Sequence, residues 1–280
     1  MKVPILDNHV HLRPDGRNVD ALIEFSKAGG TAATIVSLPY QEVQVLRSED
    51  FMDSYRITLD LVKRGREATD LDLLVALGPY PVLLIGLMER YGMERAVEVM
   101  KEGMDIAAGL VAEGEAHAIG EIGRPHFPVS AEIMDASNEV MLHGMRAAAE
   151  AGCPVILHTE SVTPETMLEL AMMADAAGLD RAKVIKHFSP PLVLAEENHG
   201  LVPSIPASRK TVGEALSKGD RFLMETDYID SPERPGAVMS INSVPKRVNA
   251  MLQNGQMTED VAWKIGKELP EKVYGVEFHL

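Results

Sequence analysis

Short runs of β-branched and aliphatic residues alternate along the chain with longer stretches in which apolar residues recur every three or four positions. The short runs predict strands near residues 3–9, 31–38, 71–77, 116–121, 154–158, 183–187, 200–204 and 221–226. The longer stretches predict helices near 19–28, 49–67, 93–113, 131–151, 164–177, 191–198, 209–218 and 236–254. Helix ends carry local signals. Gly29, Gly152 and Gly178 stand where a left-handed residue closes a helix, and Thr163-Pro164 reads as an N-cap followed by proline in the first turn. Thr258 with Glu259 and Asp260 opens a last helix, which Pro270 is expected to stop.

Strand and helix alternating eight times through short links predict an α/β fold, a slightly distorted (β/α)8 TIM barrel formed by one domain over residues 1–280. The competing open, doubly wound sheet would carry a Gly-rich first turn. The first turn here is Asp7-Asn8-His9-Val10-His11, which is nothing like one. Four links, 39–48, 79–91, 124–130 and 228–235, are long and proline-rich or tyrosine-bearing. They are expected to rise over the mouth at the strands' C-terminal ends, where barrels build their sites.

Composition narrows the chemistry. With 280 residues, 46% of them hydrophobic, the chain can bury a sizeable core. A single cysteine, Cys153, excludes an internal disulfide framework and any Cys-rich metal site, so a metal would be held by His and carboxylates. The opening run has no signal-peptide pattern, and the most apolar window, 71–88, is broken by Asp72, Gly78, Pro79, Pro81 and Gly86. A cytoplasmic location without membrane contact is therefore expected, with no obligate protein partner evident. A net charge of −15 carries no general basic footprint for nucleic acid, although it leaves room for a local basic groove and for bound cations.

The candidate chemistry lies at the strand ends. His9 and His11 are two apart in an extended run, so both imidazoles point the same way. Further ligand types close later strands: Glu121 in Gly120-Glu121-Ile122-Gly123, His158, His187, and Asp227 in Glu225-Thr226-Asp227. A barrel gathers those ends into a ring. Three imidazole-bearing strands and two carboxylate-bearing ones then suffice for two divalent ions ~3.5–4 Å apart, bridged by Glu121. Each residue alone has an ordinary explanation, a satisfied structural histidine or a helix cap. Together, so many ionisable groups at one mouth would be costly to bury without metal.

With their order and spacing, His9-Val10-His11, Gly120-Glu121-Ile122-Gly123, His158, His187-Phe188-Ser189 and Glu225-Thr226-Asp227 resemble the TatD family of metal-dependent hydrolases, of the amidohydrolase superfamily. The resemblance spans His9 to Asp227 and implies a binuclear or trinuclear centre. On that reading His9, His11, Glu121 and Asp227 hold one ion, and Glu121, His158 and His187 the other. Characterised relatives cleave phosphodiesters in DNA. The departures fall on the substrate side. Arg124-Pro125-His126 replaces an acidic-aromatic pair, Glu160 replaces a base, Ser189-Pro190-Pro191 replaces Ser-Gly, and the Asn-rich ending of bacterial members is not obvious in 269–275.

Zn²⁺ or Mn²⁺ suits such ligands, with Mg²⁺ a further candidate. The expected reaction is hydrolysis of a phosphoester or phosphodiester, of a small molecule or nucleic acid, with Asp227 as the base and Glu121 as the bridge. Arg13, Arg124, His126 and Glu160 are the candidate substrate-binding residues, and Glu225 a candidate to orient ligands or to fill the barrel. Two other classes remain: hydrolysis of a small amide, lactone or cyclic C–N bond, and non-catalytic metal binding. Other residues read as structural. His117 is expected deeper in the barrel, and His143 on an outer helix. His199 and His279 are expected at the surface, Lys186 facing away from the bore, and Cys153 as a packed thiol.

Overall fold

The computed structural model describes residues 3–279. In chain order it forms β1 (Leu6–His11), α1 (Val19–Lys27), β2 (Ala32–Val36), α2 (Glu49–Ala68), β3 (Asp72–Leu77), α3 (Leu83–Tyr91) and α4 (Met93–Ala112). There follow β4 (Ala118–Gly123), α5 (Ala131–Ala151), β5 (Val155–His158), α6 (Pro164–Ala177), β6 (Val184–Lys186), α7 (Ala195–Asn198), β7 (Val202–Pro206) and α8 (Arg209–Lys218). The chain ends with β8 (Leu223–Glu225), β9 (Tyr228–Ile229), α9 (Ser243–Gln253), α10 (Glu259–Trp263) and α11 (Leu269–Tyr274).

The strands are almost wholly buried, as a parallel sheet sheathed by helices requires. They run side by side in the order β8-β7-β6-β5-β4-β3-β2-β1-β9, every pair parallel. The result is a (β/α)8-type barrel. Side chains close the seam between β8 and β1: Thr226 donates its N–H and its hydroxyl to the two oxygens of Asp7, at 2.9 and 2.7 Å. The short β9 then continues the sheet along β1, pairing Tyr228 with Val10.

Each of the first eight strands sends small or branched side chains into one shared core, among them Leu6, Ala32, Ile156, Ile185 and Leu223. Val273, Tyr274 and Phe278 close it. They enter from the end where strands begin, because His279 binds Asp72 at the start of β3. A larger core lies between the strands and the helices, from Val10 and Phe25 to Val184 and Leu201. The opposite end, where the strands finish, is left for the site.

Several sequence expectations shift. The 79–91 link holds a helix, α3, started by Leu83 and Leu84 after the Pro79–Pro81 turn. The expected helix 191–198 shrinks to α7, since Pro190 and Pro191 hold the chain off helix, and 236–254 shrinks to α9. Pro270 does not stop the last helix. The chain stays helical from Glu259 through a π-helical turn at Lys264–Glu268 into α11, the wider turn just ahead of Pro270 accommodates its missing N–H, and the helix runs on to Gly275. Gly152 and Gly178 do close α5 and α6 in the left-handed region, with φ of 70° and 74°. His117 lies before β4 and accepts the Val75 N–H at 3.1 Å. Lys186 is buried, its ammonium donating to the His187 carbonyl.

Candidate metal centre

β1 ends on His9 and His11, both buried. β4 changes register against β5 between Gly120 and Ile122, with Glu121 at the irregularity. The two strands then close up at Gly123, where a Cβ would stand 2.1 Å from the His158 carbonyl oxygen and φ is +139°. Only glycine fits that approach, and it sets Glu121 beside His158. His187 follows β6 directly, and Asp227 follows β8. Asp227 has φ +48°, a left-handed conformation that Asp tolerates better than most residues.

These elements bring all six predicted ligands to one place. Glu121 Oε1 lies 3.1 Å from His9 Nε2, 3.2 Å from His158 Nδ1 and 3.4 Å from His187 Nε2. His11 Nε2 is 3.1 Å from His9 Nε2 and 3.7 Å from Asp227 Oδ1. Its other nitrogen, Nδ1, is 2.9 Å from the Val36 carbonyl, which fixes that nitrogen as the N–H and leaves Nε2 as a lone pair. The His9 and His187 rings stack with centroids 3.8 Å apart. Of three triads among the described residues compact enough to hold one ion, two reach the mouth: His9, His11 and Asp227, and Glu121, His158 and His187.

The electrostatics ask for a cation. Burial lowers the imidazoles of His9, His11 (to about 4) and His187, so they stay neutral. Burial works against ionising Glu121, but the surrounding His9, His158 and His187 outweigh it and hold its carboxyl well below the usual range. Burial, then the negative charges of Glu225, Glu121 and Asp7, push Asp227 up to about 9. Imidazole nitrogens crowded within about 3 Å of one another and of buried carboxylates are a poor arrangement for protein alone. His9 Nδ1, His187 Nδ1 and one oxygen of Glu225 are also buried without a hydrogen-bond partner among the described residues. A hard-to-borderline divalent ion with nitrogen and oxygen ligands fits this donor set.

Behind the triads stands Glu225, fully buried. Its Oε1 accepts the Phe188 N–H at 2.9 Å and lies 2.9 Å from His187 Nδ1, at an angle too poor for a hydrogen bond. An atom from each of Glu225, His9 and His187 falls within 4.8 Å of the others. Glu225 therefore faces ligands of both triads.

In front, the mouth opens into a cavity of about 560 Å³ walled by His11, Glu121, His158, His187 and Asp227. Its rim adds Leu38, Tyr80, Phe188, Ile229 and Val238, and its lining contains no Lys or Arg. Tyr80 meets the His158 ring edge-on at 5.2 Å, and burial, with the charges of Glu121 and Asp227, raises its phenol to about 12.

The sequence matches the TatD related DNase family over residues 6–275. The chain belongs to that family. Uncharacterized protein MJ1127 of Methanocaldococcus jannaschii is 33% identical, over 99% of this chain and 98% of its own. Among solved structures, the TatD homolog YJJV of Escherichia coli K12 superposes with a TM-score of 0.68 at 19% identity, covering 99% of this chain and all of that one. The TatD-like protein AF1765 of Archaeoglobus fulgidus gives 0.66 at 18%, covering 97% of this chain and all of that one. The phosphotriesterase homology protein of Escherichia coli, which carries phosphate in its active site, gives 0.63 at 13%, covering 98% and 99%. These three share the fold, and this TatD-family chain is a hydrolase with candidate metal-binding clusters at the barrel mouth.

The predicted substrate-binding residues divide. His126 lines the cavity, with Nδ1 3.0 Å from His158 Nε2. Glu160 lines it too, but Arg124 Nη1 holds its Oε1 at 3.1 Å and its Oε2 is buried. Arg124 itself is only 2% exposed and also binds Asn138 and Glu169, so its guanidinium is committed behind the wall. Arg13 is bound to Asp15 at 2.9 Å and takes no part in the lining. Tyr80 was not singled out from sequence. The one available signal was its place in Pro79-Tyr80-Pro81, a link expected over the mouth.

Proposed function

We propose that this TatD-family hydrolase holds two divalent ions and cleaves a small phosphoester or phosphodiester. The observation that carries the reading is Glu121 Oε1, which stands 3.1–3.4 Å from imidazole nitrogens of three different strands while Asp227 faces the same cavity. His9, His11 and Asp227 would hold one ion and His158 and His187 the other, with Glu121 between them. Such ions, when bound, supply a water that ionises near neutral pH and polarise the bond to be cut.

The chain's own residues do the rest. Asp227 reaches the cavity from a conformation that turns its carboxylate toward His11, and there it accepts the attacking water's proton and passes it to the leaving group. Glu225 faces the His9 and His187 imidazoles from behind and would orient them once ions bind their far sides. Leu38, Phe188, Ile229 and Val238 keep bulk water from the rim and fit an apolar leaving group.

The lining also favours a second reading, hydrolysis of a small lactone or amide. With no Lys or Arg in the cavity, no side-chain cation would meet the charge on a phosphoryl group. A panel of aryl phosphomonoesters, phosphodiesters and lactones, assayed with added Mn²⁺ or Zn²⁺, separates the readings. Turnover of phosphoesters is the expected result. Turnover of lactones alone selects the second reading, and turnover of none with metal bound excludes both for substrates of that size.

A further inference from the structure

The cavity carries a phenol that the reaction as described leaves idle. Tyr80 lines the wall beside Glu121, His158 and Asp227, and it is half-buried. Its ring is fixed edge-on against His158. Its hydroxyl makes no hydrogen bond to any described residue, whereas the buried phenols of Tyr40, Tyr55, Tyr228 and Tyr274 all do. A half-buried phenol with a held ring and a free O–H is set to donate to a bound molecule.

The rest of the lining shows what that molecule must bring. Hydrolysis by added water puts negative charge on the oxygen of the group under attack, and active sites meet that charge with preorganised donors. Lysine and arginine ordinarily serve, and neither is in this lining. The neighbouring donors are committed. Thr159 Oγ1 donates to the Glu160 carbonyl at 3.1 Å, His126 Nδ1 faces His158 Nε2, His158 and His187 face Glu121, and His11 faces the Val36 carbonyl and Asp227. Ser161 is left at the exposed rim.

We infer that Tyr80 is a catalytic residue, its hydroxyl donating a hydrogen bond to the non-bridging oxygen of the phosphoryl group under attack. No proton changes hands: the phenol keeps its hydrogen, and the bond shortens as that oxygen gains charge. The inference rests on the hydrolase reading above and adds the class of oxygen recognised, that of a tetrahedral oxyanion.

Tyr80→Phe tests it cleanly, because the ring stays on His158 and only the O–H goes. On the metal-loaded enzyme, kcat for the best phosphoester should fall about 100-fold with KM within about 3-fold, while metal content and Tm hold at wild-type values. A purely structural Tyr80 would leave kcat unchanged, and that result overturns the inference. So does Ser161→Ala giving the large loss in place of Tyr80→Phe. Calorimetric titration of the metal-loaded protein with inorganic phosphate supplies a readout without turnover. Tyr80→Phe should weaken phosphate binding about 5- to 10-fold. If wild type binds phosphate and loses affinity on Tyr80→Phe but turns over no ester, the substrate reading fails and the donor stands. If phosphate binds both proteins equally, or does not bind wild type, the donor fails.

Discussion

Removing one side chain from the centre has different consequences according to which atom it offers. In our account Asp227 supplies both a ligand oxygen and the base. Asp227→Asn keeps shape and one carbonyl oxygen, so the protein should retain most of its metal while kcat falls 10²- to 10⁴-fold. Elemental analysis beside a turnover assay checks both, and unchanged turnover would remove Asp227 from the chemistry. Glu225 touches no cavity, but it faces His9 and His187 from behind. Glu225→Gln should cost 10- to 100-fold in metal affinity, read by competition with a chelating dye, and wild-type affinity would make Glu225 mere filling. Cys153 belongs to the packing. Burial raises its thiol to about 11, so at pH 8 it is protonated and should resist a disulfide reagent until the protein is denatured. An unfolded thiol ionises near ~8.5. Its contribution to stability is therefore complete below that pH and is lost as pH climbs toward 11. Rapid labelling of the native protein at pH 8 would contradict this.

At the scale of elements, the barrel is a ring of parallel ladders with one seam sewn by side chains. Thr226 serves both sides of it, donating to Asp7 and accepting the Tyr228 N–H at 3.1 Å. Thr226→Val keeps the volume and leaves a buried Asp7 oxygen without its donor, so chemical denaturation should show a loss of about 1–3 kcal/mol. No loss would mean that the seam is held elsewhere. The eight inner strands were legible because each is a short apolar run, and in five of them the run ends on a polar ligand type. Helices α1, α2, α4, α5, α6 and α8 were legible from their periodicity and, in some, from caps such as Gly152, Gly178 and Thr163. What escaped had weak local signal. β9 has two residues, and α3 lies behind Pro79 and Pro81, where prolines suggest a loop. Sequence also brought Arg13 and Arg124 toward substrate by position along the chain. Position does not reveal the local partners, Asp15 for one and Glu160, Asn138 and Glu169 for the other, that take up each guanidinium.

For the whole molecule, charge and topology point the same way. The net charge is −15, and the barrel mouth gathers neutral imidazoles and carboxylates with no Lys or Arg in the lining. No helix among the described residues is long and apolar enough to cross a membrane. In our account divalent ions are structural as well as chemical, since they would offset charge that otherwise repels across the ring. Stripping metal with a chelator should lower Tm, and Mn²⁺ or Zn²⁺ should restore it, because an ion that binds only the folded state stabilises that state by mass action. The central claim is that six side chains from five strand ends converge to hold two such ions, and the most direct measurement is the metal-to-protein ratio after growth in metal-replete medium. We predict about two equivalents per chain, falling to about one or below in Glu121→Ala, which loses the shared oxygen. Less than one equivalent in the wild-type protein would contradict the account.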